Sequence, residues 1–281
     1  KGFYVDAQNI TLPNKMPATV EGTVRFNTTA APNSETIVWF EPFTADGSST
    51  TNMLVATSAG TIYLYTPATD TWAAIFNELT ASATVWTHVP FRGRLFFSNG
   101  TDPILKYDGT DVLYVGARRI INMNTSDDSN GSWSGGATST TRKAGDLSRQ
   151  VLNGQTAIFT FNSAQNLNTA LNGGTAFSNT DRIRIWMRKD SGDADGTAVI
   201  RFRTSAAAYF EQTVTVSGNG VWAERNDARS AYAATGAADW TNINSVYINT
   251  TAGAGTYRFD HFTEQYNLSP PVGSLIEMYS Q

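Results

Sequence analysis

Arg182-Ile183-Arg184-Ile185-Trp186-Met187-Arg188 alternates without a break. Ile183, Ile185 and Met187 fall on one side of an extended chain, and the arginines with Trp186 fall on the other. A side-chain period of two is the mark of a β-strand with one face in a core. Ala198–Arg203, Gln212–Val216 and Thr256–Phe262 read the same way. Each is bounded by Gly, Asn, Asp or Ser, which favour turns. Only Ser163–Leu171 could make a helical turn or two, so the expected fold class is all-β.

Composition narrows the alternatives. The 281 residues carry 16% charged and 12% aromatic side chains and no cysteine. Coiled coils and helical bundles need far more periodic Glu, Lys, Leu and Ala. A disulfide scaffold is excluded outright. With 20 Lys+Arg against 24 Asp+Glu the net charge is −4, which argues against a nucleic-acid partner. No run of about 18 apolar residues exists to span a membrane. The chain starts at Lys1, without Met or a signal-peptide apolar core, and is expected to be a piece of a longer protein.

The first 115 or so residues hold a weak internal repeat. Leu54–Gly60, Ile62–Tyr65 and Thr69–Trp72 correspond to Leu95–Gly100, Ile104–Tyr107 and Thr110–Val112, at an offset of about 41–42 residues. Val38-Trp39 and Val85-Trp86 correspond at a slightly longer offset. That period suits a four-stranded propeller blade, which must stack on neighbours to bury its faces. Ordinary meander hairpins are the alternative.

From about Gly116 the repeat stops. A Gly/Ser/Asn/Asp-rich stretch, Asn122 to Gly136, leads into about nine short strands whose spacing of roughly 8–12 residues suits a sandwich or jelly roll. After Ser269-Pro270-Pro271, the segment Ser274–Tyr279 reads as one more strand. The expected organisation is 1–116 as an incomplete set of propeller-like blades, 117–266 as a jelly-roll β-sandwich, and 267–281 as a strand returning to the first region. The sandwich would then interrupt the blades.

Two resemblances rest on particular residues. Asn9-Ile10-Thr11-Leu12-Pro13, Glu21–Phe26 and Arg94–Thr110 resemble segments of β-propeller-containing tail or neck structural proteins of tailed bacteriophages. Trp133-Ser134-Gly135, Asp181–Met187, Trp240–Ile243 and Tyr257–Phe262 are similar to the jelly-roll sandwiches of carbohydrate-binding modules. The first implies a virion structural role without enzymatic activity, with partners among other virion proteins and copies of the chain itself. The second implies a carbohydrate-binding or receptor-binding adhesin that takes a host surface glycan; a glycan depolymerase is a third possibility. The sandwich family also implies a structural calcium, the only cofactor expected here. Asp260 would be its ligand in the final core strand, met in space by Asp127 and Asp128. His261 stands where that family has a second acid.

Other candidate sites are few. His88 and His261 are far apart, and there is no GxSxG, HExxH or cysteine to build a nucleophilic site. Asp190, Asp193 and Asp195 form an acidic turn with oxygen ligands close together. Arg182, Arg184, Trp186 and Arg188 share one side of their strand, and Arg201 and Arg203 would lie beside them if the two strands pair. A Trp flanked by planar donors could contact another subunit, face solvent, or hold a sugar by ring stacking and forked hydrogen bonds.

Overall fold

The computed structural model describes residues 10–11, 18–19, 30–44, 49, 51–77, 79–83, 85–109, 111–121, 130–143, 147–171 and 175–267. Among these there is no α-helix; strands and turns account for the fold. Strands β1 (Ile10–Thr11) and β2 (Ala18–Thr19) form a short antiparallel pair. Two four-stranded meanders follow. The first runs β3 (Ile37–Thr44), β4 (Thr51–Thr57), β5 (Ile62–Thr66) and β6 (Thr71–Phe76). The second runs β7 (Thr87–Phe91), β8 (Arg94–Ser98), β9 (Leu105–Tyr107) and β10 (Val112–Tyr114). β4, β5 and β6 correspond to β8, β9 and β10 as in the sequence repeat, whereas Val85-Trp86, the counterpart of Val38-Trp39 in β3, lies just before β7.

Turn chemistry sets these hairpins. Arg92 and Gly93 have φ of 48° and 69° between β7 and β8, the positive values a two-residue primed turn demands. Gly60 follows β4 at φ 82°, and a Cβ there would lie 2.2 Å from the carbonyl oxygen of Leu79. The meanders bury one joint core of Leu54, Ile62 and Phe76 with Leu95, Phe97, Leu105 and Val112. Phe43 meets Tyr107 edge-on at 5.5 Å, and Trp39 stacks on Trp86 at 5.1 Å. Two such sheets do not close a ring, since a propeller needs about 4–8 blades.

The remaining strands build a β-sandwich. They are β11 (Ala117–Arg119), β12 (Gly131–Ser134), β13 (Ala137–Ser139), β14 (Ser148–Leu152), β15 (Thr156–Gln165) and β16 (Arg182–Lys189). Then come β17 (Gly196–Arg203), β18 (Tyr209–Val216), β19 (Ala223–Ala228), β20 (Ala233–Thr235), β21 (Ile243–Ala252) and β22 (Thr256–Gln265). One sheet has the order β13-β14-β22-β16-β19, with β11 also on β22; the other is β12-β15-β21-β17-β18-β20. Neighbours are antiparallel and mostly far apart in sequence, as in jelly rolls. Ile183, Ile185 and Met187 from one sheet share a core with Ile200, Phe202, Val246 and Ile248 from the other. Fully burying each such side chain contributes about 1.5–3 kcal/mol.

Three local expectations change. Ser163–Leu171 makes no helix; β15 runs on to Gln165 and a turn follows. The Gly/Ser-rich stretch contains strand β12, because Trp133 packs on Phe159 at 5.3 Å. Strict alternation also fails in β22. Arg184 faces Thr263 and Trp186 faces Asp260, so three residues of β22 answer two of β16. This is a β-bulge, and His261 sits in it at φ 51°. Phe259 and Phe262 both enter the core as a result. The expected strand near 275–279 lies outside the described residues.

Candidate functional site

The sandwich has two outer faces, and the expected platform residues divide between them. β16 pairs with β19 and β22, whereas β17 pairs with β18 and β21. Arg201 and Arg203 therefore do not lie beside Arg182, Arg184, Trp186 and Arg188, and that expectation is corrected. Adjacency along the chain did not mean adjacency in a sheet, because strand β22 enters beside β16.

The β16 face is covered by the chain itself. The guanidinium of Arg184 lies 4.6 Å over the ring of Tyr114 and donates Nε to Glu224. The ammonium of Lys143 sits 4.4 Å over Trp186 while donating to the carbonyl oxygen of Asn77 at 3.1 Å. His261 meets Phe76 edge-on at 5.9 Å. Arg182 donates to Asn267 and to the carbonyl oxygen of Asn226, each at 2.9 Å. Arg188 stands opposite Arg258 across the strand pair. Tyr114, Asn77 and Phe76 all belong to the meanders or their connections, so Arg184 and Trp186 serve an interface within the chain.

The β17 face has a different character. Register places Arg201 between Glu211 of β18 and Tyr247 of β21, and Arg203 between Tyr209 and Ser245. Arg201 lies over Tyr209 at 4.5 Å and over Tyr247 at 5.0 Å, and donates Nε to Glu211. Arg203 lies over Tyr247 at 3.9 Å. Farther along the same face Asn249 donates to the hydroxyl of Thr156 at 2.8 Å. All four ring and guanidinium groups are half-buried. Burial works against the charge of Arg201, yet the hydrogen bond and charge of Glu211 outweigh it and hold its pKa above the ordinary value. The result is a ladder of flat groups, two aromatic and two cationic, flanked by a carboxylate. Such a surface can stack on an apolar ring face and fork hydrogen bonds to oxygens around it. Tyr209, Tyr247 and Glu211 are absent from the residues picked out by sequence. Their signal was the polar register of Tyr209-Phe210-Glu211 and Val246-Tyr247-Ile248-Asn249.

The carboxylates expected to hold calcium are otherwise occupied or out of view. Asp127 and Asp128 lie outside the described residues. Asp260 accepts from the backbone N–H of Lys143 and of His261, both at 2.7 Å, one on each oxygen. In the acidic turn Asp190 pairs with Arg258, Asp193 accepts from the N–H of Thr256 at 3.2 Å, and Asp195 accepts from that of Gly218 at 3.0 Å. The three point to separate partners. Among the described residues no group of three His, Cys, Asp or Glu could hold a metal ion. His88 pairs with Glu41 at 3.2 Å, beside the stacked Trp39 and Trp86.

An ion triad of buried Arg229 and Glu264 with half-buried Arg118 joins the first and last strands of the sandwich. Glu264 accepts from Arg229 Nη2 at 2.6 Å and from Arg118 Nε. Arg229 also donates to Asn168 at 2.8 Å and to the carbonyl oxygen of Leu167, and lies 4.8 Å over Trp240. Burial pushes the Glu264 carboxyl above its ordinary range, against the pull of both arginines.

No protein-family model matches the chain, and no curated protein matches it. Among solved structures it is similar to the family 11 carbohydrate-binding module from Clostridium thermocellum in complex with a β-1,3-1,4-mixed-linked tetrasaccharide. That similarity has 11% identity and a TM-score of 0.39, over 56% of this chain and 99% of that one. The C-terminal family 22 carbohydrate-binding module of Clostridium thermocellum Xyn10B matches at 14% identity and TM-score 0.35, over 58% of this chain and all of the other. A carbohydrate-binding module of the β-sandwich superfamily matches at 11% identity and TM-score 0.32, over 81% of this chain and 96% of that one. All three TM-scores lie below 0.5.

Proposed function

We propose that the chain is a non-enzymatic glycan-binding protein that works through the β17–β18–β21 face of its sandwich. The observation that supports this is the ladder Tyr209–Arg201–Tyr247–Arg203, with rings and guanidiniums spaced 3.9 to 5.0 Å apart. The alternating rings and guanidiniums would offer a pyranose the outer edge of the ladder, while Arg201 and Glu211 would exchange hydrogen bonds with hydroxyls. Because the platform is part of a continuous sheet, the bound geometry is already set, which lowers the ordering cost of binding. Affinity electrophoresis against a panel of polysaccharides tests the reading. Tyr247→Ala should weaken retention roughly 10-fold or more, as loss of a central aromatic anchor does. Unchanged retention in Tyr247→Ala and Tyr209→Ala, or no retention of the wild type by any polysaccharide, refutes it.

A second reading, a structural part of a phage tail or neck built through subunit contacts, draws on a different observation. Phe40 (60% exposed), Ile37 (45%), Val85 (63%) and Phe91 (56%) are large apolar side chains left open on or beside β3 and β7. Scattered exposed apolar residues are ordinary, but these cluster on the first strands of both meanders. In that reading the meanders are blades of a propeller completed by other chains or by further sequence, and the sandwich projects from it. Sedimentation distinguishes the two: concentration-dependent oligomers abolished by Phe40→Lys with Phe91→Lys favour the structural role.

A further inference from the structure

The face assigned to glycan is not electrically balanced. Arg201 has Glu211 as its counter-ion. Arg203 has none: it makes no hydrogen bond or ion pair with any described residue, and its Nε is buried without a partner. Its one protein contact of note is the ring of Tyr247, 3.9 Å from the guanidinium carbon. Burial and then the neighbouring Arg201 charge both push its pKa down, the condition of a cation short of negative charge. Asp239, whose backbone bonds the hydroxyl of Thr204 just past β17, keeps its carboxylate on the N–H and hydroxyl of Thr241 at 2.8 and 2.7 Å and forms no ion pair with Arg203. Two guanidiniums and one carboxylate leave the platform positive on a chain whose net charge is −4. The net negative charge disfavours general adhesion to polyanions, so an anionic ligand needs a local cationic site such as this one.

A neutral sugar needs hydroxyl partners and a ring to stack on, which Arg201, Glu211 and the tyrosines supply. A second guanidinium without a counter-ion adds hydrogen bonds to such a sugar but gains nothing there from its charge. An oxyanion does, since a half-buried Arg forks two N–H groups to carboxylate or sulfate, and the low-dielectric setting strengthens the bond.

We infer that the platform takes an anionic glycan, with Arg203 pairing with a carboxylate or sulfate on a sugar adjacent to the one packed on the Tyr209–Tyr247 ladder. The inference rests on the glycan-binding reading and names its ligand class. The test uses the full chain and matched polymers: polygalacturonate against its methyl ester, and dextran sulfate against dextran. At least one anionic member should bind at least about 10-fold more tightly than its neutral partner, and that preference should fall as salt rises. Whichever pair shows the preference identifies carboxylate or sulfate as the group recognised. Arg203→Gln should remove the preference, whereas Arg203→Lys keeps part of it. Equal binding of charged and neutral partners, or a preference that survives Arg203→Gln, overturns the anionic assignment while leaving glycan binding in place if Tyr247→Ala still weakens it. If no polymer binds, and instead a protein partner is lost in Arg203→Gln, both readings fall together.

Discussion

Arg229→Met is the sharpest test of how the sandwich is held. Arg229 and Glu264 are 1% and 0% exposed, so neither charge can turn to water without unfolding. The substitution strips Glu264 of its 2.6 Å partner and leaves Asn168 Oδ1 and the carbonyl oxygen of Leu167 without their donor. Arg118 still holds the other carboxylate oxygen, and methionine keeps the volume beside Trp240. Breaking one arm of a buried pair costs about 3–5 kcal/mol. At about 2–4 °C per kcal/mol for a unit of 150–250 residues, the melting temperature should fall by roughly 6–20 °C. Urea unfolding and calorimetry read both quantities. Adding Glu264→Gln removes a buried charge left with one of its two arginines, so the double variant should be more stable than the sum of the singles by at least about 1 kcal/mol. The pH dependence carries its own sign. With one arginine gone, the folded carboxyl rises further above its unfolded value of about 4.3, so folding takes up a proton. Its contribution is complete below about pH 4 and is lost as pH rises through the folded value, making Arg229→Met relatively weaker at neutral pH. A loss below about 1 kcal/mol, or additive singles, would refute the account.

Other expectations separate the two faces and the bulge. Trp186→Ala should lower stability by roughly 1–3 kcal/mol by uncovering the contact beneath Lys143, and should leave glycan retention unchanged; a loss of retention would return the binding site to the β16 face. His261→Val should cost about 1–3 kcal/mol, because a β-branched residue tolerates φ near 51° poorly, whereas His261→Asn should cost less, as urea titrations of the pair will tell. Asp260→Ala should cost about 1–3 kcal/mol through the two N–H groups it leaves bare, by the same amount in calcium and in EDTA. A cost confined to calcium-containing buffer would restore Asp260 as a metal ligand.

What could be read from sequence was local. Ile183, Ile185 and Met187 announced their strand because alternation needs only neighbours. The two meanders were legible because the chain repeats itself at blade length. Partner choice was not. Arg182 pairs with Ala228 and Gln265, and such long-range pairings follow from packing of the whole sandwich rather than from any residue in the strand. For that reason closeness along the chain groups Arg201 and Arg203 with Trp186, whereas their companions in the sheet are Tyr209 and Tyr247. The bulge was equally hidden, because nothing in Tyr257–Phe262 marks His261 as the residue that turns left-handed. Strand β12 around Trp133 is hidden by its small, polar neighbours, although Trp133 itself carries part of the sandwich resemblance.

The first strands of the meanders share a feature that bears on how copies of this chain could meet. β3 and β7 each lie at an edge of their sheet and each contain a proline, Pro42 and Pro90. Proline offers no N–H to an incoming strand, so these borders make poor templates for extending the sheet. Edge-to-edge polymerisation, the usual hazard of open β structure rich in Phe and Ile, is disfavoured close to where Phe40 and Phe91 would otherwise invite it. Any association of copies at β3 and β7 is thereby steered towards contacts between side chains and away from backbone ladders that grow without limit.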